Sequence, residues 1–176
     1  MRYQAASVSG AWVIEPERHE DDRGFFARIF DGEEFAARGL NPQLAQASIS
    51  VNKRRGTLRG IHWQAAPHEE DKLVRCTRGA LWDVALDLRR DSPTYLKWHA
   101  EELTAANHRM LYIPKGCAHG ALTLADDTEI HYHIAQPWVP AAARGARWND
   151  PAFAIRWPEP VQVIAERDRS WPDFRP

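Results

Sequence analysis

Two histidines in this chain sit in short motifs suited to metal or proton chemistry. The first motif runs Gly56-Thr57-Leu58-Arg59-Gly60-Ile61-His62-Trp63-Gln64, and the second Pro114-Lys115-Gly116-Cys117-Ala118-His119. Each combines a turn signal, a strand-like run and a histidine, a pattern that points a side chain into a barrel's cavity. A metal site there needs about three or four ligands, mostly histidine with one carboxylate. His62, Glu69 and His119 are available, but Gln64, a poor ligand, stands in the middle position. His68 lies in the loop-like Ala65-Ala66-Pro67-His68. The motif therefore favours proton transfer, and no metal is expected.

Proton transfer needs a different set. A neutral histidine, with an ordinary pKa of about 6.5, removes a proton near neutral pH, best when a carboxylate fixes its tautomer. A tyrosine on the opposite side of the substrate returns a proton. A cation beside the developing oxyanion stabilises an enolate. His62, Tyr132 and Lys72, with several aspartates, supply those types. Spacing alone does not join them. His62 also reads as a satisfied core histidine. Tyr132 also reads as a barrel-filling residue, and Lys72 as a surface lysine with a buried stem.

The elements that must position these groups read as β-strands. Short apolar or alternating runs occur at Ala11–Ile14, Phe25–Phe30, Leu44–Val51, Leu58–Gln64, Leu73–Thr77, Leu81–Leu88, Trp98–Leu103, Arg109–Ile113, Ala121–Leu124 and Glu129–Ala135. Turn residues separate them, which argues for a sandwich or barrel. Alternation puts Asp83, Ala85 and Asp87 on one face of their strand, and Ile130, Tyr132 and Ile134 on one face of theirs. His62 aligns with Leu58 and Gln64, and a regular strand would turn Arg59 away. Gly60 between them can mark a bulge that breaks the alternation. One helix is expected, capped by Asp31, with Glu34 three residues later and Gly39 at its end. The tail from Trp157 to Pro176 reads as ordered coil with a short strand at Val161–Ala165.

Composition narrows the class. The 176 residues suit one domain, 1–176, with a core that needs no staples. Basic and acidic residues nearly balance, 23 against 24, so nothing points to nucleic acid or a membrane surface. Cys76 and Cys117 match no zinc spacing and read as reduced thiols of a cytoplasmic protein. No apolar run reaches spanning length, and Met1-Arg2-Tyr3-Gln4 does not begin a signal peptide.

The motifs together resemble the dTDP-4-dehydrorhamnose 3,5-epimerase family over nearly the whole chain. The match includes Asp22-Arg23-Gly24-Phe25-Phe26, the Gly56–Gln64 motif, Lys72-Leu73-Val74-Arg75 and Trp82–Arg89. It continues through Ser92-Pro93-Thr94, Ile113–Gly120, Trp148-Asn149-Asp150-Pro151, Trp157-Pro158 and Glu166-Arg167-Asp168. The resemblance implies an all-β fold, a double-stranded β-helix or cupin-like jelly roll with one or two short helices. It also implies a homodimer that works without metal or other cofactor on a dTDP-4-keto-6-deoxyhexose. By resemblance His62 is the base, Asp168 its orienting carboxylate, Tyr132 the acid and Lys72 the cation near the C4 oxygen. Arg23, Arg59, His119, Gln46, Ser48 and Asp83 match substrate-binding positions, and Trp138 an aromatic that stacks on thymine.

The chain departs from the pattern at Arg28, commonly glutamate, and at Ala143, commonly polar or acidic. The Gln46–Asn52 segment is shifted relative to a common Gln-x-Asn arrangement. All three lie by analogy at the substrate-binding end. The implied reaction inverts C3 and C5 of a 4-keto-6-deoxyglucose nucleotide. The alternative is inversion at one carbon only, on a related sugar. A metal-dependent cupin oxygenase and a non-catalytic sugar-binding cupin are the rivals from other classes.

Overall fold

The computed structural model describes residues 1–175, so Pro176 of the expected tail lies outside them. Two antiparallel sheets face each other. The first takes its strands in the order β1 (Arg2–Ala5), β2 (Trp12–Glu15), β10 (Met110–Ile113), β7 (Lys72–Arg78), β12 (Thr128–Ile134) and β5 (Gln46–Asn52). The second runs β13 (Ala143–Gly145), β6 (Thr57–Gln64), β11 (Cys117–Thr123), β8 (Ala80–Asp87) and β9 (Trp98–Thr104). A two-residue strand, β14 (Val163–Ile164), lies parallel to the start of β6. A separate hairpin pairs β3 (Arg18–Asp21) with β4 (Gly24–Ala27). The all-β jelly-roll expectation holds, with two short helices, α1 (Gly32–Ala37) and α2 (Glu166–Arg169).

Strand alternation builds three apolar layers. Between the sheets, Val13, Val74, Leu111 and Ile130 of the first pack with Leu81, Ala85, Leu103 and Ala121 of the second. Outside the first sheet, Phe35 of α1 is buried with Ile14, Leu73, Met110 and Tyr112. Burying a phenylalanine side chain contributes about 1.5–3 kcal/mol, enough to hold a six-residue helix that would not persist alone. Outside the second sheet, Ile61, Leu86 and Ala118 are covered by Ala146 and Phe153, with Trp157 and Phe174 against them. That last layer carries the C-terminal segment, and with it α2, across β6.

The expected cap is present. The Asp31 carboxylate accepts from the backbone N–H groups of Glu33 and Glu34, both at 3.1 Å, and Gly39 takes φ +70° after the helix. Glu34 does not close a capping box, because its carboxylate reaches the Met1 ammonium at 3.4 Å.

Some boundaries differ from the expectation. The Phe25–Phe30 run stops being strand at Ala27, since Ile29 and Phe30 turn in against Phe35. β11 starts at Cys117, ahead of the apolar run at Ala121 that marks it in the sequence. β1, β3 and β13 lie outside every expected run. β3 is Arg-His-Glu-Asp with all four residues exposed, so it has no buried face to betray it.

Candidate active site

A cavity of about 330 Å³ opens between the sheets. β5 lines it with Ser48 and Ser50, β7 with Lys72, and β12 with Tyr132 and Ile134. From the other sheet β6 supplies Arg59, His62 and Gln64, and β11 supplies His119. Trp138, Ala143, Arg144, Arg167 and Asp168 complete the rim and wall.

The placement of both Arg59 and His62 in one cavity depends on Gly60. Opposite His119 and Ala121 of β11 stand His62 and Arg59 of β6, so β6 carries one extra residue there. This is the bulge that Gly60 signals, and it returns Arg59 to the face of His62. Gly60 has φ +121°, and a Cβ on it would lie 2.7 Å from both Gly120 Cα and His119 O. Only glycine fits this approach of two backbones.

His62 Nε2 lies 2.6 Å from Asp168 Oδ1. The other Asp168 oxygen accepts the Gly60 N–H at 3.2 Å. Burial alone pushes the Asp168 carboxyl up. The hydrogen bond and charge of His62, with the Gly60 amide, more than offset that and hold it below its ordinary value. An ionised carboxylate only accepts, so Nε2 carries the imidazole hydrogen and the lone pair is left on Nδ1. His62 remains about a third exposed, whereas Asp168 is buried behind it.

Tyr132 stands on the facing sheet. Burial first, and then the charge of Asp83, push its phenol well above the ordinary tyrosine value. Arg59 and a hydrogen bond with Ser50 partly oppose this. The hydroxyl therefore keeps its proton and can donate it. His119 sits beside it, ring centroids 5.9 Å apart, with Nε2 2.7 Å from Asp83 Oδ1. Asp83 is fully buried and does not line the cavity, and its second oxygen has no hydrogen-bond partner. Its place is behind His119, not against a ligand.

Lys72 Nζ lies 2.7 Å from Glu70 Oε1, both side chains being nearly buried. Arg59 Nε donates to Asn52 Oδ1 at 2.7 Å, which aims the guanidinium along the cavity wall. Trp138 is 60% exposed on the rim, and its backbone N–H donates to Gln46 Oε1 at 2.9 Å. Gln46 thus supports the rim instead of lining the cavity. Arg23 is absent from the site. It lies at the β3–β4 turn, 89% exposed, ion-paired with Asp21 at 2.6 Å.

His62, Glu69 and His119 are not drawn into one ligand set, and among the described residues no group of three such side chains has metal-holding geometry. The cavity also contains groups that the motif reading passed over: Ser50, Glu70, Arg144 and Arg167. Arg167 adjoins Asp168, so recognition of the Glu166-Arg167-Asp168 turn as part of the wall was the available signal. Glu70 is one residue beyond the glutamate that the metal spacing singles out. Ser50 on β5 lies within the Gln46–Asn52 segment and Arg144 on β13 beside Ala143, both placed by resemblance at the substrate-binding end, though the resemblance singles out neither side chain.

Comparison with known proteins agrees with this geometry. A family profile described as dTDP-4-dehydrorhamnose 3,5-epimerase matches residues 5–176. A protein of that name from Sinorhizobium fredii is 42% identical over 175 residues, spanning 99% of this chain and 90% of the relative. The crystal structure of the enzyme of that name from Elizabethkingia anophelis superposes with a TM-score of 0.96 at 33% identity, covering 99% of this chain and 96% of that one. A dTDP-6-deoxy-D-glucose-3,5-epimerase from Legionella pneumophila, solved with dTDP-4-keto-L-rhamnose, superposes at 0.88 with 31% identity, covering 95% and 89%. With the match running through both sheets and the tail, this chain belongs to the dTDP-4-dehydrorhamnose 3,5-epimerase family.

Proposed function

We propose that residues 1–176 act as one epimerase domain that inverts C3 and C5 of dTDP-4-dehydro-6-deoxyglucose. The observation that carries the reading is the facing pair in one cavity, the His62–Asp168 dyad on one sheet and Tyr132 on the other. A ketone at C4 acidifies the C–H bonds at both neighbouring carbons. His62 Nδ1 takes the proton from one of them, and the electron pair moves to the C4 oxygen as an enolate. Lys72 stabilises that oxyanion. Tyr132 then gives its proton to the same carbon from the opposite face, which inverts the centre. The tyrosinate and imidazolium exchange protons with solvent before the cycle repeats at the second carbon. Nothing is oxidised overall, so the residues present suffice.

The remaining residues bind the nucleotide. Arg59 and Arg167 offer guanidinium groups for the diphosphate, Trp138 a stacking face for thymine, and Ser48 and Ser50 hydroxyls. Arg23 requires a second copy. Its hairpin projects with Phe26 71% exposed, and β5 ends its sheet with Ile49 65% exposed. We assign these surfaces to a homodimer in which the hairpin reaches the partner's cavity, and place the protein in the cytoplasm. Light scattering should give about twice 20.1 kDa; a monomer removes the role for Arg23.

The test of the reaction is proton NMR of dTDP-4-keto-6-deoxyglucose with the protein in heavy water. Deuterium entering both C3 and C5 is expected. Exchange at one carbon alone assigns a mono-epimerase, and exchange at neither overturns the reading.

A further inference from the structure

We infer that Gln64 is a positioning residue that couples the aromatic face of Trp138 to the ammonium of Lys72. The inference rests on the roles given above to those two residues. Gln64 borders the cavity yet is only 3% exposed. Both ends of its amide are bonded to the protein. Nε2 donates to His68 O at 3.0 Å, Glu70 Oε2 at 3.0 Å and Pro137 O at 3.2 Å. Oε1 accepts the Val139 N–H at 2.7 Å. Both N–H donors are taken by the protein, and the side chain is nearly buried, so Gln64 has no donor to offer a ligand.

Its partners show what it does. The bonds to Pro137 and Val139 bracket Trp138 on both sides and fix the backbone under an indole that has little packing of its own. The bond to Glu70 holds one oxygen of a carboxylate whose other oxygen takes Lys72 Nζ. One side chain therefore ties together the two ends of the site, the base platform and the cation for the C4 oxygen. An amide serves here because it combines two N–H donors, shared among the three oxygens, with an acceptor toward one N–H. A carboxylate at 64 would place oxygen against oxygen, and a thioether of the same length would make none of the bonds.

Groups in one hydrogen-bond network do not respond independently. Seating of the nucleotide base on Trp138 restrains the loop, Gln64 transmits that restraint to Glu70, and Lys72 is held where the oxyanion forms. Substrate binding at a distance from the reacting carbons is thus used to order the cation.

The experiment is a double-mutant cycle on kcat/KM with Trp138→Ala and Glu70→Gln, run in the natural chain and again with Gln64→Met. In the natural chain the combined loss should depart from the product of the single losses by threefold or more. With Gln64→Met in place, the losses should multiply to within about twofold, as independent sites do. Gln64→Met alone should raise KM and lower kcat together, while a merely structural change would lower only the active fraction. Multiplicative losses in the natural chain overturn the coupling, even if Gln64→Met fails to fold. Non-multiplicative losses that persist with Gln64→Met overturn the role of Gln64. If neither single change alters kcat/KM, the roles of Trp138 and Lys72 fall first, and the coupling with them. Epimerase activity in the natural chain separates that outcome from failure of the epimerase reading itself.

Discussion

Replacing Gly60 with alanine should damage stability and catalysis together, by amounts that follow from two measurements. The new Cβ would sit 2.7 Å from Gly120 Cα and 2.7 Å from His119 O, both backbone atoms that no rotamer change can move. An ordinary contact is near 3.5–4 Å, so the two strands must part by about 0.8 Å or more. Overpacking of this kind costs about 1–3 kcal/mol. The φ of +121° adds a backbone conformation that alanine resists, at about 1–3 kcal/mol more. The sum, about 2–6 kcal/mol, lowers Tm by roughly 5–20 °C in a chain of this size. The strands that separate carry His62 and His119, and a displacement near 1 Å at a reacting group costs about 100-fold in rate. Differential scanning calorimetry and NMR-monitored deuterium exchange measure the two effects. Gly39→Ala is the control. Gly39 has φ +70° but no atom within 4 Å of its Cβ position, so it should lose about 1–2 kcal/mol and keep full turnover. A Gly60→Ala protein with natural Tm and turnover would refute the argument that the bulge depends on glycine.

His62→Asn should lower turnover by at least about 100-fold with the fold retained, and Tyr132→Phe should lose net inversion while C–H exchange persists. Full activity in either variant displaces that residue from its role. Trp138→Ala should weaken dTDP binding by about 1–3 kcal/mol in calorimetric titration, and unchanged affinity would remove the stacking role. Asp83→Asn takes away a buried negative charge that raises Tyr132, so the alkaline limb of the pH–rate profile should move to lower pH. A stationary limb separates Asp83 from the acid. Burial would raise Asp87, but Arg89, Ser92 and Thr94 hydrogen-bond its carboxylate and hold it at about 2 against an ordinary 3.8. Its stabilisation, about 2 kcal/mol, is present above pH 4 and lost as pH falls toward 2. Urea unfolding at pH 6 and pH 2.5 should therefore show a smaller drop in Asp87→Asn than in the natural chain.

Strand parity made much of this site legible. Alternation alone puts Tyr132 on one face with Ile130 and Ile134, and Asp83 on one face with Ala85; the structure is what turns both faces inward. Gly60 announced the bulge. What parity cannot give is which distant strands meet. His62 and Asp168 are separated by 106 positions, and nothing local in either segment names the other. Glu70 and Arg167 stayed hidden because their neighbours, Glu69 and Asp168, carried the recognisable motif. Arg23 illustrates the opposite case. Its motif is plain, but an exposed hairpin sends it away from the cavity of its own chain.

The dyad has a consequence in time. β6 and His62 are made early, but their carboxylate arrives on α2, 106 residues later. At a ribosomal pace of about 5–20 residues per second, that interval is roughly 5–20 s. Both sheets are nearly complete by then, since among the strands they lack only β14 once Gly145 has emerged. The stretch from Gly145 to Asp168 is only 23 residues, roughly 1–5 s of synthesis, and in that time a chain with its sheets formed has His62 but no carboxylate to fix the tautomer. On the proposed mechanism catalysis begins only when the tail closes over β6, so a chain stalled before Asp168 is expected to be a binder without turnover.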